Sequence, residues 1–117
     1  MDIVALREYC LSKQLVEESF PFNETALVFK VAGKMFVLVD IESHPLSFNV
    51  KCDRAKAIEL REKHSCVTPA YHMNKQHWNS IACDGSVASK TILKWIDDSY
   101  DLVVSGLPKK EQVRFKS

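Results

Sequence analysis

The fold is decided by residues 25–41, which read TALVFKVAGKMFVLVDI. Two apolar runs, rich in β-branched and aromatic residues, are separated by Ala32-Gly33, a short connection typical of a tight β-hairpin. The first run alternates, with Leu27, Phe29 and Val31 on one face. The second run is apolar on both faces, with Met35, Val37, Val39 and Ile41 on one side and Phe36 and Leu38 on the other. This pattern predicts a hairpin at the centre of a sheet.

The residues on either side of this hairpin predict one more strand and a first helix. Residues 46–52 alternate cleanly, with Leu46, Phe48, Val50 and Cys52 facing inward. Residues 2–16 carry apolar side chains at helical spacing, and Asp2 is suited to cap the N-terminus. A helix over residues 2–16 therefore precedes the sheet.

The middle of the chain predicts a second helix and a second hairpin. Asp53 is placed to cap a helix over residues 54–63. Thr68-Pro69 prevents a helix from continuing. Residues 70–83 then fit a hairpin whose turn is Asn74-Lys75.

The last part of the chain predicts one long helix and a tail. The helix covers residues 87–105, with Ser86 as its cap and Gly106 as its stop. Residues 109–117 are predicted to be a frayed tail of a single domain spanning residues 1–117. The predicted order is α-β-β-β-α-β-β-α, an α+β fold with an antiparallel sheet and helices packed on one face.

Composition limits the possible functions. The 117 residues are 46% hydrophobic and 26% charged, an ordinary globular balance. No apolar run approaches a membrane span, and no secretory signal is visible, which predicts a cytoplasmic protein without a membrane partner. The four cysteines contain no C-x-x-C pair and are predicted to be free thiols. No cofactor is predicted.

Residues 69–79, which read PAYHMNKQHWN, concentrate the groups able to bind or react. A metal could use His72, Met73 and His77, with Cys66 as a further ligand. A catalytic site could pair Cys66 or Cys83 with one of the histidines. Both ideas are incomplete, because the first lacks a full ligand set and the second lacks any recognisable nucleophile motif.

Two other interpretations of the same residues stay open. In a nucleic-acid interface, Lys75 would contact phosphate while Asn74 and the aromatic rings contact bases or backbone. In a purely structural role, Asn74 would form the turn and Trp78 and Met73 would lie at the core edge. The net charge of +1 means that any DNA interface must be a local patch.

Several segments together resemble the MmcQ/YjbR family. They are Phe20-Pro21-Phe22, residues 27–36, Lys51-Cys52-Asp53, Tyr71-His72-Met73-Asn74-Lys75, His77-Trp78-Asn79 and residues 97–103. The resemblance implies a fold like CyaY and frataxin and a double-wing mode of DNA binding, with hairpins such as residues 70–83 as wings. The chain departs from the family pattern at Ala70, where glycine is usual, and at Ser89-Lys90, where acidic residues are usual. The acidic first-helix ridge of frataxins is absent, which disfavours iron delivery.

The sequence therefore predicts a non-enzymatic protein that binds DNA. Lys51 and Lys75 would engage phosphates. The remaining contact surface would consist of Tyr71, His72, Asn74 and His77. The alternatives are a protein-interaction or small-ligand module that uses the same surface, and an enzyme.

Overall fold

The computed structural model describes residues 1–71 and 73–115, and within them six strands form one sheet. The strands are β1 (Val16–Ser19), β2 (Ala26–Val31), β3 (Lys34–Asp40), β4 (Ser47–Lys51), β5 (Val67–Pro69) and β6 (Trp78–Ala82). The helices are α1 (Ile3–Leu11), α2 (Arg54–Lys63), α3 (Ser89–Ser105) and α4 (Lys109–Gln112). The strand order is β1-β2-β3-β4-β6-β5, and every neighbouring pair is antiparallel. The predicted α+β class is confirmed.

The three longer helices cover one face of this sheet. α3 packs on β2, β3 and β4, whereas α1 contacts β1 and α2 contacts β5 and β6. Phe29, Phe36 and Phe48 are among the fully buried side chains of the single core between the layers. The opposite face of the sheet has no helix against it in the described part of the chain, which leaves it open. None of the described helices is both long enough and apolar enough to cross a membrane.

The first helix is shorter than the sequence predicts. Asp2 caps α1 as expected, accepting a 2.8 Å hydrogen bond from the Ala5 amide. The helix ends at Leu11, and Leu15 has a left-handed backbone (φ 60°) that turns the chain into β1. Val16, predicted to be helical, instead pairs with Val31 on the edge of the sheet. Backbone pairing with β2 therefore overrides apolar spacing that by itself suits a helix.

The central hairpin forms as predicted, but a β-bulge changes which side chains face the core. Ala32 and Gly33 both have positive φ, the geometry of a tight two-residue turn. Beyond the turn, Lys30 pairs with Met35 and Phe29 pairs with Val37, which leaves Phe36 unpaired. Phe36 and Val37 are consequently both buried. The assignment of Met35 to the face of Val37 is wrong, because the bulge moves Met35 to the open face.

The second hairpin lies a few residues away from its predicted position. Its strands are β5 and β6, and residues 70–77 form the connecting loop. Pro69, which the sequence suggests as a helix stop, ends the short edge strand β5, a position where a missing amide hydrogen does no harm. Tyr71 therefore belongs to the loop and not to a strand.

The C-terminal part shows two smaller corrections. Ser86 does not cap α3; it bonds to the Asp84 carboxylate in the preceding turn, and Ala88 occupies the cap position. Gly106 does follow the last helical residue, as predicted. The predicted frayed tail contains α4, and the Phe115 ring lies 6.3 Å from the Tyr100 ring.

Candidate nucleic-acid interface

Strand direction brings the connections of both hairpins, the central one and the predicted wing, to the same end of the sheet. β2 runs up to the turn at residues 32–33, β4 runs up to Lys51, and β5 runs up to the loop at residues 70–77. We call this the wing end of the sheet, defined by residues 32–34, residue 51 and residues 70–77. Segments far apart in the sequence thus form one surface.

Lys51 is the last residue of β4, and its backbone is held by α3. Its amide donates a 2.8 Å hydrogen bond to the Ser99 hydroxyl, which itself donates to the Phe36 carbonyl at 2.6 Å. Lys51 is also the cross-strand partner of Trp78, so the two side chains are neighbours on the open face. The backbone from which the lysine projects is therefore fixed by the core.

The loop at residues 70–77 displays Tyr71, Asn74 and Lys75. The Tyr71 side chain is 68% exposed, and the Lys75 ammonium lies 5.1 Å from its ring centroid. The Asn74 carboxamide accepts a 3.0 Å hydrogen bond from the Gln76 amide, as the structural interpretation of this residue predicts. An aromatic ring and a cation are thus presented together, on a turn that Asn74 shapes.

The structure describes only one of the two histidines that the sequence predicts to form the contact surface. His77 is half-buried at the start of β6, where its carbonyl accepts a 2.7 Å hydrogen bond from the Cys52 amide. Its backbone therefore ties the loop to the end of β4, and the residue as a whole is partly exposed. His72 lies outside the described residues, so its predicted role stays a prediction.

An arginine that the sequence interpretation does not single out fastens the loop. Arg61 of α2 donates a 2.7 Å hydrogen bond from Nε to the side chain of Asn79, which is fully buried. Its Nη2 also donates to the Lys75 and Trp78 carbonyls. The Asn79 amide in turn donates to the Ala57 carbonyl at 3.3 Å. We call this set the Arg61–Asn79 network; it connects α2, β6 and the displayed loop.

The wing end also concentrates cations that have no acidic partner. Lys34, Lys51 and Lys75 form no ion pair within residues 1–71 and 73–115. The turns at the opposite end of the sheet instead carry carboxylates. They are Asp40, Glu42 and Asp84. Carboxylates also lie near the wing end, where Asp53 caps α2 and Glu17 of β1 shares a depression with Ala32 and Gly33. The wing end is therefore marked by lysines that form no ion pair among the described residues, and not by an absence of acidic residues.

The structure separates His77 from both of the cysteines that a cysteine–histidine site would need. His77 precedes β6 and Cys83 follows it, so the length of the strand lies between them, about 20 Å at roughly 3.3 Å per residue. Cys66, which precedes β5, is buried at that same far end. In the part of the chain that the structure describes, no three His, Cys, Asp or Glu side chains form a metal-sized group.

The acidic residues of α3 are engaged separately. Asp97 accepts 2.6 Å hydrogen bonds from the Tyr9 hydroxyl and from the Lys13 ammonium, whereas Asp98 pairs with Lys94 at 2.7 Å. Burial opposes ionisation of Asp97, but its bonds to Lys13 and Tyr9 together lower its pKa. The Asp97 contacts hold α1 and the residues after it against α3, whereas Asp98 pairs within α3, so we assign both carboxylates a structural role.

The contact between Tyr9 and Asp97 can be tested by titrating Tyr9. Its hydrogen bond to Asp97 raises the pKa of Tyr9 from 10.0 to about 12. Folding raises the pKa of Tyr9, so the hydrogen bond to Asp97 stabilises the folded state fully below pH 10. This stabilisation is lost as the pH rises towards 12. In Asp97→Asn we expect the Tyr9 phenolate absorbance to appear at lower pH. Asp98→Asn is the matched control, and equal titrations in the two variants would contradict the assignment.

The fold and this surface define a small α+β protein with a half-covered antiparallel sheet and a basic, loop-bearing end. The sequence model of the YjbR family matches residues 11–102. The chain belongs to the YjbR family.

Individual relatives agree with this assignment. The uncharacterized protein YjbR of Escherichia coli K12 is 34% identical over 113 residues, which cover 96% of this chain and 95% of the relative. The uncharacterized protein YbdF of Escherichia coli O157:H7 is 33% identical over 111 residues, covering 94% and 90%.

Two crystal structures have a similar fold. A Deinococcus radiodurans protein superimposes with a TM-score of 0.90 at 35% identity, covering 97% of this chain and 86% of that one. A Pseudomonas syringae protein does so with a TM-score of 0.75 at 25% identity, covering 87% and 98%. The similarity thus extends over nearly the whole chain.

Proposed function

We propose that this protein binds DNA through the wing end of its sheet, without catalysing a reaction. The observation that carries the proposal is the convergence of both hairpin connections and of Lys34, Lys51 and Lys75 on one end of the sheet. Phosphate contacts supply most of the affinity of such an interface, and they require cations that no protein carboxylate already neutralises.

The chemical character of the loop supports the same proposal. Tyr71 and Lys75 place a ring and a charge side by side at the surface, a combination that suits a sugar–phosphate backbone next to a base. The rigid attachment of the loop through Arg61 reduces the ordering entropy that binding would cost.

The thiol of Cys83, one of the two candidate nucleophiles, supports a binding role over a catalytic one. Its partial burial raises its pKa. A nucleophilic cysteine needs the opposite change, towards the thiolate.

The salt dependence of DNA binding tests the proposal. We expect the affinity for mixed-sequence duplex DNA to fall steeply with salt. In Lys51→Gln/Lys75→Gln the slope of log K against log salt should shrink by about 2, roughly 0.9 for each phosphate that a lysine no longer neutralises. Fluorescence anisotropy over a salt series measures both the affinity and the slope.

The control variant changes two lysines at other places on the surface. Lys63 and Lys94 are exposed on helices and pair with Glu59 and Asp98. Lys63→Gln/Lys94→Gln has the same net charge as the test variant and should keep the wild-type slope. Equal reductions of the slope in the two variants would show that any surface cation suffices, and absence of wild-type binding at low salt would refute the proposal.

A further inference from the structure

The open face of the sheet contains a groove next to the wing end. It has a volume of about 560 Å³, within the range of small-molecule sites. Leu38 and Asn49, which are cross-strand partners, lie beneath it. Met73 from the loop, Trp78 from β6 and Phe22 from the β1–β2 connection surround them.

This face is more apolar than an uncovered sheet face needs to be. An antiparallel sheet with one solvated face normally presents polar side chains there. Here the bulge in β3 turns Met35 outward beside Leu38, and Phe22 remains 67% exposed at the groove edge. Apolar side chains around a groove are what a small-ligand site needs.

Two polar side chains in the groove make few hydrogen bonds to the described residues. The Asn49 side chain makes a single hydrogen bond to another described residue, a 3.3 Å contact to the Met73 sulfur. The Trp78 indole N–H has no protein acceptor within the described residues. A half-buried tryptophan usually has such an acceptor. An amide and an indole donor therefore lie next to apolar walls.

Positive charge adjoins the groove beside Met35 and Trp78. A second depression, of about 390 Å³, shares these two residues with the groove and adds Lys34 and Lys51 from the sheet, with its far wall formed by the end of α3 and the turn after it (Leu102, Val103, Gly106 and Leu107). Because Lys51 is the cross-strand partner of Trp78, a ring and a cation stand together at the boundary. A ligand that suits both depressions has a flat apolar part and an anionic part.

We infer that the groove holds an unpaired base of single-stranded DNA, stacked on Trp78, with the adjoining phosphates at Lys34 and Lys51. The inference rests on the proposed function and extends it, because it selects single strands over duplexes. The groove shares Met73 and Asn74 with the wing end, and Lys34 and Lys51 of the adjoining depression complement the charge of the DNA backbone. A paired base inside a duplex could not enter it, whereas an unstacked base presents its π-face to an aromatic ring.

Tryptophan emission and anisotropy test this inference. The probe is a labelled oligothymidylate of roughly 12 nucleotides, within the range covered by one small domain. Binding should quench the emission of the wild type but not that of Trp78→Leu, in which Trp95 of the buried core is the remaining tryptophan. Trp78→Leu should bind this strand about tenfold more weakly, while its duplex affinity stays within roughly twofold of the wild type.

Two further variants guard against a simple folding defect. Asn49→Ala should also weaken single-strand binding selectively. Thr68→Ala, on the same face but outside the groove, should not. Far-UV circular dichroism checks that each variant is folded.

The possible failures are distinguishable. If duplex DNA binds with a slope that depends on Lys51 and Lys75, but Trp78→Leu affects both DNA forms equally, this inference fails and the proposed function stands. If neither form binds, both fail. If Trp78 emission responds to protein concentration and not to DNA, the groove is a contact between copies of the chain, and the inference is overturned.

Discussion

Replacing Asn79 with alanine is expected to lower the free energy of unfolding by about 2–4 kcal/mol. Asn79 is fully buried and accepts the 2.7 Å hydrogen bond from Arg61. Truncation removes the acceptor opposite a part-buried guanidinium and leaves a small cavity. Both effects are costly, since a desolvated charge that loses its partner cannot recover its hydration.

The partner substitution measures the same network from the other side. Arg61→Met should cost a similar amount, because the buried Asn79 oxygen and the Lys75 and Trp78 carbonyls lose their donor. The double variant should lose less than the sum, with a coupling of roughly 0.5–3 kcal/mol. Urea unfolding gives these values. Arg54→Met, an exposed arginine of the same helix, is the control and should stay within about 0.5 kcal/mol of the wild type.

This network also connects stability to the proposed function. Because Arg61 bonds to the loop that carries Tyr71 and Lys75, its loss should release the loop before the sheet unfolds. Amide hydrogen exchange in residues 73–77 should accelerate more in Arg61→Met than exchange in β3. Uniform acceleration over both segments would mean that Arg61 supports the fold as a whole and not the loop in particular.

Ser99→Ala is expected to lower the free energy of unfolding by about 2–3 kcal/mol, a large effect for the loss of one oxygen atom. The Ser99 hydroxyl is fully buried and bridges two backbone groups, the Phe36 carbonyl and the Lys51 amide. These groups lie just beyond the last β3–β4 pair, Val37 with Val50, where the ladder can no longer satisfy them. Alanine would leave both without their partner.

Ser105→Ala is the matched control for this substitution. Ser105 lies on the same helix, and its hydroxyl makes one exposed hydrogen bond to the Leu102 carbonyl. Its loss should change the free energy of unfolding by less than about 0.5 kcal/mol in urea titrations. Equal effects at the two positions would show that water can replace Ser99 between the strands, which would contradict the bridging role.

Much of the architecture could be predicted because local patterns and tertiary contacts agree. The central hairpin follows from two apolar runs around Ala32-Gly33, and the turn there has the positive φ angles expected of it. Asp2 and Asp53 cap helices by accepting amide hydrogen bonds, an interaction contained within three residues of sequence. Such features depend only on neighbours along the chain.

Two of the failures depend on a partner in another strand. β1 forms because β2 offers it a free edge, although Val16 also fits a helical stripe. The bulge that turns Met35 outward depends on the register between two strands. The candidate surface likewise has a part that the sequence predicts and a part that only the fold reveals. Lys75 and Tyr71 are recognisable within one segment, but the role of Arg61 depends on the position of α2 against β6.

The sequence by itself determined the α+β class, the central hairpin, the caps of α1 and α2, and the clustering of Tyr71, Asn74 and Lys75 in one segment, because each follows from spacing or composition within a short stretch. Only the tertiary structure decided that residues 32–34, 51 and 70–77 share one end of the sheet, and that Trp78 faces an open groove instead of the core. The physical reason is that strand order, register and a bulge set the direction of each side chain, and long-range pairing fixes all three.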